Sequence, residues 1–271
     1  MKIILFSFFS VLFCTLFGQD NVVLTCKYVL TSKVDSINKT NEIYNLDITQ
    51  SSSHYYSDLK RIGDSMWKDD YKKGTPIEDM VTNSNKYNMT AGGIEIYNRS
   101  IDGHLEVFED VLSKKYKYAD SIPMLGWHIL NDTMTISNLN CQKAEIQFRG
   151  RKYVAWFAPS ISVTYGPWKF YGLPGLIIKV TDSKGDYSFQ LLSAEKVFNK
   201  KELSPLPSKT ITSTVREISK LKKRLIDDPL AELELTTGVK LTIDTGMDQI
   251  ASMIKKEQLN YNPIELSFDD K

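Results

Sequence analysis

The chain has 271 residues, of which 42% are apolar, 25% are charged and 11% are aromatic, and these values exclude an intrinsically disordered protein. Its 34 basic and 33 acidic residues give a net charge of +1, so no excess positive charge attracts nucleic acid or an anionic membrane. We therefore expect no nucleic-acid partner, and three cysteines with three histidines leave little material for a metal cluster.

The beginning of the chain has the order of a secretory signal. Lys2 is followed by the apolar run Ile3–Phe17, and a polar stretch begins after Gly18. This run is shorter than the roughly 20 residues that a membrane-spanning helix needs, and a retained membrane anchor is the alternative interpretation. We expect a signal peptide over residues 1–18 and one mature domain over residues 19–271, without a transmembrane span.

Two cysteines remain in the predicted mature chain, Cys26 and Cys141. An exported protein occupies an oxidising compartment, so a disulfide between them is allowed. The alternative is two buried free thiols, because cysteine also packs well as a small apolar side chain.

The mature chain begins with the pattern of a strand. Val22, Leu24, Cys26, Tyr28 and Leu30 alternate with smaller or polar residues, which is typical of a half-buried strand. Four further strands are predicted over residues 41–49, 51–56, 94–97 and 105–108, with a turn at 102–103, a short helix over 61–73 and a loop over 74–87.

The densest strand signal runs from residue 116 to residue 192. Tyr153, Ala155 and Phe157 are apolar on one face and Val154 and Trp156 on the other, so this strand should be covered on both sides. The neighbouring strands are predicted over residues 134–138, 144–148, 176–180 and 187–191, with a hairpin turn at 182–185. Short connections of this kind are typical of an antiparallel meander.

The period changes to that of a helix near the end of the chain. Apolar residues from Ile211 to Leu225 recur at helical spacing, and Thr214 with Glu217 fits a capping box. A strand within residues 230–243 and a second helix around residues 247–254 follow. The sequence therefore predicts one α+β domain, an antiparallel sheet with C-terminal helices packed on one face.

Sequence motifs of known catalytic sites are absent from the chain. We find no nucleophile elbow, no zinc or calcium motif and no phosphate-binding loop. His54, His104 and His128 are isolated, and a surface or hydrogen-bonded core histidine is a more common outcome than a metal ligand. We expect no catalytic residue, no cofactor and no metal.

One stretch, GPWKFYGLPGLIIKV from Gly166 to Val180, has an unusual density of turn residues. Pro174 and Gly175 suit the centre of a type II turn, where glycine accepts a positive φ. An apolar strand begins directly afterwards, so the stretch predicts a tight corner. The corner residues are Gly166, Pro167, Gly172, Leu173, Pro174, Gly175, Leu176 and Ile177.

This corner has two interpretations. It is either only a turn, or one rim of an apolar pocket or partner surface, with exposed aromatic side chains beside a lysine. The second interpretation assigns binding to Arg151, Trp156, Trp168, Lys169 and Phe170.

The same residues resemble the GLPGLI family of secreted Bacteroidetes proteins, of the Porph_ging type, which is named for the hexapeptide at residues 172–177. The likeness is densest over residues 118–266. It includes Trp127, Cys141, Gly150-Arg151, Lys169-Phe170 and the ending Asn262-Pro263-Ile264-Glu265-Leu266. The chain departs from the family pattern at Ala158-Pro159-Ser160-Ile161.

The resemblance implies export to the periplasm or outer membrane of a Gram-negative bacterium, and it carries no reaction, cofactor or catalytic residue. The strand order is also similar to envelope lipoprotein carriers, which implies a curved, half-barrel-like sheet. Three functions remain open: a non-enzymatic binding protein for an apolar ligand or partner segment, an assembly partner of an outer-membrane system, and an unfamiliar enzyme using Arg151 and Glu145.

Overall fold

A single sheet of twelve strands dominates the computed structural model, which describes residues 21–33, 39–88, 93–99, 104–111, 114–121, 126–228, 231–232, 235 and 263–267. The strands are β1 (Leu24–Lys33), β2 (Lys39–Ile48), β3 (Ser53–Ser57), β4 (Ile94–Asn98), β5 (His104–Val111), β6 (Lys114–Ser121), β7 (His128–Ile136), β8 (Leu139–Phe148), β9 (Arg151–Ala158), β10 (Leu176–Asp182), β11 (Tyr187–Lys196) and β12 (Ile211–Thr212). The helices within these residues are α1 (Asp58–Lys72), α2 (Ile77–Thr82) and α3 (Val215–Asp227), with a 3-10 turn over Ser84–Tyr87.

The order of the strands across the sheet is β12-β6-β5-β4-β3-β2-β1-β11-β10-β9-β8-β7. Neighbouring strands are antiparallel, except that β12 pairs with β6 in parallel. Two meanders, β1 to β6 and β7 to β11, thus meet where β1 pairs with β11. Such connections between sequence neighbours are common because short antiparallel hairpins need few residues.

The sheet curves until residues near its two ends come into contact. Asp120 lies on β6, close to one edge, and Arg149 follows β8, close to the other edge, yet their side chains are 2.5 Å apart. The curved antiparallel sheet predicted from the sequence is therefore confirmed. The α+β class is supported only in part, because the described residues contain few helices.

The apolar core lies on the concave face of this sheet. On β9, Tyr153, Ala155 and Phe157 are fully buried, whereas Val154 and Trp156 are half-buried, so the second face is covered less than the sequence predicts. Tyr28 of β1 is also fully buried, and its hydroxyl donates to the Ile177 carbonyl at 2.8 Å. Helix α3 covers part of the same face, and its Thr214–Glu217 capping box forms as predicted.

The segment over residues 74–87 contradicts the sequence interpretation. We expected a loop, whereas the chain forms α2 and a 3-10 turn. The reason is tertiary packing, because Met80 and Tyr87 are buried and Gly63 of α1 lies against the Tyr87 backbone. Strand β6 was not predicted either, because its sequence is mostly charged and tyrosine-rich.

Several sequence predictions lie outside the described residues. They are the signal peptide over 1–18, the turn at 102–103, most of the strand over 230–243 and the helix around 247–254. Among the helices that the structure describes, none has the length and apolar character to cross a membrane.

Candidate functional site

Residues 159–175, which join β9 to β10, fold back over the concave face instead of lying on its rim. Trp168 and Phe170 are 6% and 1% exposed. The Phe170 ring is 4.8 Å from that of Tyr153, 5.9 Å from that of Phe189 and 6.0 Å from that of Phe148. These five side chains, which we call the aromatic plug, fill the space between the corner and the sheet.

The corner differs from the type II turn that the sequence predicts. The N–H of Gly175 donates to the Leu173 carbonyl at 2.9 Å, which closes a three-residue turn around Pro174. Gly172, with φ of +90°, is the glycine of the hexapeptide with positive φ. Gly175 is needed for a different reason, since a Cβ there would lie 2.4 Å from the Ala158 carbonyl oxygen.

We therefore expect Gly175→Ala to lower the free energy of unfolding by about 1–3 kcal/mol, because the β9–β10 junction must move to admit one methyl group. Gly126→Ala is the matched control, since nothing lies within 4 Å of its added Cβ and its φ is not positive. Urea unfolding of both variants measures the difference. Equal stabilities would contradict the close approach at Gly175.

A buried network of four charges lies beside the plug. The Lys169 ammonium is 2.7 Å from Asp120 and 2.7 Å from Glu265, while Arg149 is 2.5 Å from Asp120 and 3.5 Å from Glu265. Burial alone would lower the pKa of Lys169, but the facing oxygens of Tyr118, Glu265 and Asp120 raise it well above its usual value. Two cations and two anions are thus held together away from water, which is the condition for keeping buried charges.

A third buried cation, Arg151, lies at the start of β9. Its guanidinium group donates to Asp182 at 3.0 Å and Asp186 at 3.1 Å. It also donates to the carbonyl oxygens of Pro263 at 2.7 Å and Ile264 at 3.1 Å. One side chain thus links the β10–β11 hairpin to residues near the end of the sequence, which uses the fixed fork of arginine donors.

Residues 263–267, which we call the tail segment, lie along the turn between β8 and β9. The Leu266 N–H donates to the Arg149 carbonyl at 2.8 Å, and the Tyr153 hydroxyl contacts the Ile264 carbonyl at 3.4 Å. Gly150 has φ of +79°, and a Cβ there would be 2.9 Å from the Leu266 Cβ. We call Arg149, Gly150, Arg151, Tyr153 and Lys169 the clamp, because all five hold this segment.

Two adjoining pockets lie on the concave side, between the sheet, α3 and the tail segment. Their volumes are about 250 and 210 Å³, and Glu109, Tyr187 and Ile264 line both of them. The first is also lined by Tyr118, Val215, Ile218, Ser219 and Lys222, and the second by Leu30, Tyr44, Tyr55, Ile94, Trp168 and Phe189. An ion pair between Lys222 and Glu109 links α3 to β5 beside the first pocket.

The second pocket is lined mainly by aliphatic and aromatic side chains, and Glu109 and Asp110 are its charged members. Tyr55 is 2% exposed, and its hydroxyl has no hydrogen-bond partner among the residues that the structure describes. Burial raises the pKa of Tyr55 well above its usual value, so the phenol is neutral and available as a donor. A buried unpaired hydroxyl costs free energy, which makes it a group that a ligand could satisfy.

The binding interpretation of the corner expected exposed Trp168 and Phe170 side chains beside Lys169, and this expected exposure is wrong. All three are buried because the corner turns inward onto the sheet. Arg151 is also buried, and Trp156 is half-buried on the other face of β9. Their assignment to binding stays a prediction; Trp168 lines a pocket, while Lys169 and Arg151 contact the tail segment.

Sequence reasoning missed Asp120, Arg149, Tyr187 and Ile264. A signal for two of these contacts was present, because Gly150-Arg151 and Pro263-Ile264-Glu265 belong to the same family pattern. Their joint presence in one pattern is explained by contact between the clamp and the tail segment.

The cysteines do not form the disulfide that we considered. Cys26 and Cys141 are both free and buried. They lie on β1 and β8, which β11, β10 and β9 separate in the sheet, and neighbouring strands are roughly 4.8 Å apart. Burial raises the pKa of Cys26 to about 12, so this thiol is protonated and unreactive at neutral pH.

The histidines and the residues of the enzyme hypothesis are not brought together. His54 is buried between Tyr56 and Tyr97 and lies 3.3 Å from Glu95, and burial lowers the pKa of its imidazole. Glu145 and Arg151 lie on opposite faces of the sheet, because Glu145 pairs with Val154 in the register of β8 and β9. Glu145 forms ion pairs with Lys143 and Lys152 instead. Among the described residues, no group of three or more histidine, cysteine or acidic side chains could hold a metal ion.

Comparison with known proteins supports the family resemblance. Residues 149–179 match the family model described as "Protein of unknown function (Porph_ging)". This match confirms the resemblance predicted from the hexapeptide, and it includes all five clamp residues and the whole corner. No curated protein sequence matches the chain significantly.

Solved structures show limited similarity to the chain. The chain is similar to PNGF-II, with 12% identity, a TM-score of 0.49 and coverage of 73% of this chain and 32% of that one. A Vibrio parahaemolyticus domain assigned to outer-membrane lipoprotein sorting has 10% identity and a TM-score of 0.31, covering 66% of this chain and 87% of that one. A LolA superfamily protein from Nitrosomonas europaea has 12% identity and a TM-score of 0.27, covering 71% and 90%. The chain spans about a third of the length of PNGF-II.

Proposed function

We propose that this chain, which matches the Porph_ging family model over residues 149–179, is an exported, non-enzymatic binding module that holds an apolar ligand on the concave face of its sheet. The observation that carries the proposal is the pair of adjoining pockets of about 250 and 210 Å³. Together they reach the size of sites that bind small organic molecules, roughly 300 Å³ and above. The signal pattern over residues 1–18 supports export to the cell envelope.

The chemistry of the second pocket defines the class of ligand. Its wall consists mainly of aliphatic and aromatic side chains, with Glu109 and Asp110 as its acidic members and the unpaired Tyr55 hydroxyl as a neutral donor. Such a wall favours a neutral molecule with an apolar body and a hydrogen-bond acceptor, as in a fatty alcohol or an esterified fatty acid, because a free carboxylate would face Glu109 and Asp110. The charged groups of the clamp are already paired, which supports binding more than chemistry.

Blocking the second pocket tests this proposal. We expect Ile94→Trp to weaken binding of a fluorescent, esterified fatty-acid analogue at least about tenfold, because the larger ring occupies the space of the ligand. Ile43→Trp is the matched control, since Ile43 is 43% exposed and has the opposite parity on β2 from Tyr44, which lines the pocket. Equal affinity of the two variants, or no binding by the natural chain, would overturn the proposal.

Two further measurements sharpen this test. Tyr55→Phe should weaken binding of the fatty-acid analogue while leaving an apolar dye without a polar end unaffected, because the variant loses only the hydroxyl donor. Native mass spectrometry of protein purified from its own envelope should show a bound mass that lipid extraction removes. Repeated recovery of the bare chain would count against a resident apolar ligand.

A further inference from the structure

The clamp holds the tail segment largely through its main chain. Arg151 donates to the carbonyls of Pro263 and Ile264, and the Arg149 carbonyl accepts from the N–H groups of Leu266 at 2.8 Å and Ser267 at 3.3 Å. Contacts of this kind are how folded domains recognise extended peptides, because every peptide presents the same backbone groups at regular intervals.

Side chains add selectivity for one sequence pattern. Lys169, whose side chain is fully buried, contacts the Glu265 carboxylate at 2.7 Å. Without that carboxylate, the network of Lys169, Arg149 and Asp120 would lose one of its two acidic members. Ile264 contributes to both pocket walls, and Gly150 leaves just enough room for Leu266.

We propose that the clamp is a peptide-recognition site for an extended segment of a partner protein with the pattern proline, apolar, acidic, apolar. In the structure the chain's own residues 263–267 occupy this site as an internal ligand. The inference goes beyond the apolar-ligand proposal, because it concerns the clamp and its peptide and not the contents of the pockets.

An internal ligand competes strongly with a partner segment. A tethered segment has an effective concentration of about 1 mM or more. A partner segment must therefore bind the clamp more tightly than the tail does, or meet a chain whose tail has already been displaced. The natural chain should therefore bind a short free peptide weakly, and weakening the tail should expose the affinity of the clamp.

The test uses the full chain with Ile264→Ala and Glu265→Ala together, and a fluorescein-labelled peptide of residues 260–268. Fluorescence anisotropy should show saturable binding by this variant and at least about tenfold weaker binding by the natural chain. The same peptide carrying Glu265→Lys should bind at least about tenfold more weakly, because its ammonium group would face Lys169. Absence of saturable binding up to about 1 mM peptide, or equal binding of both peptides, would overturn the inference.

A second experiment tests the inference if the chain with Ile264→Ala and Glu265→Ala fails to fold. In the otherwise natural chain, a protease site inserted after residue 258 allows the tail to be cut after folding. The released end should then exchange with the labelled peptide and not with the Glu265→Lys peptide; failure to exchange would overturn the inference. Binding of the fatty-acid analogue by the uncut natural chain is measured separately, so failure of the pocket proposal and failure of the clamp proposal are distinguishable.

Discussion

Lys169→Met is expected to lower the free energy of unfolding by about 3–5 kcal/mol, because it leaves a buried carboxylate without its cation. Methionine fills a similar volume, so the loss of charge is the main change. Asp120 and Glu265 would then share only Arg149, with side chains that are 4% and 13% exposed. Urea unfolding at pH 7, followed by tryptophan fluorescence, measures the effect because Trp168 lies beside Lys169 in the plug.

Two comparisons show whether the loss comes from the network. Adding Glu265→Gln to Lys169→Met removes the extra negative charge and should recover a substantial part of the lost stability. Lys223→Met, which removes an exposed lysine paired with Asp227, should change stability little. If Lys169→Met and Lys223→Met behaved alike, the network would not contribute to folding as the contacts indicate.

The strands could be predicted because one face of the sheet is buried and the other is not. The alternation of Tyr153, Ala155 and Phe157 on β9, and of Tyr187 and Phe189 on β11, directly reflects this difference. Helix α3 could be predicted for a similar reason, since its cap and its apolar spacing are local features. Helix α2 could not be predicted, because contacts distant in the chain, and not its own pattern, bury Met80.

The site was harder to predict than the fold because its contacts join distant parts of the sequence. Lys169 is 49 residues from Asp120 and 96 residues from Glu265, and no local pattern reports such pairs. A lysine between two aromatic residues therefore resembled an exposed binding group. The burial of Lys169 depends on carboxylates that only the folded chain brings to it.

The glycines of the hexapeptide illustrate the same limit. A Pro-Gly pair at residues 174–175 is typical of a type II turn, and the sequence cannot show that the backbone at Ala158 lies against Gly175. The sequence predicts the tight corner, but it assigns Gly175 to a positive φ, and that reason is wrong. Close approach of two backbones, and not a positive φ, explains Gly175.

Phe170→Ala is expected to lower the free energy of unfolding by about 3–5 kcal/mol, because it leaves a cavity in the middle of the aromatic plug. Phe170 is 1% exposed, and its ring contacts those of Trp168 at 5.2 Å and Tyr153 at 4.8 Å. Phe198→Ala is the matched control, because Phe198 is 90% exposed and removal of its ring should leave stability nearly unchanged. Thermal and urea unfolding of both variants give the comparison.

The cavity left by Phe170→Ala also connects stability to binding. Trp168 and Phe189 contact Phe170 and line the second pocket, so the new space lies beside the proposed ligand site. Apolar cavities of this kind bind small apolar molecules, so benzene should raise the unfolding temperature of Phe170→Ala and not that of Phe198→Ala. If the two variants unfolded alike, the corner would not be packed into the sheet, and the pockets beside it would lose the wall that defines them.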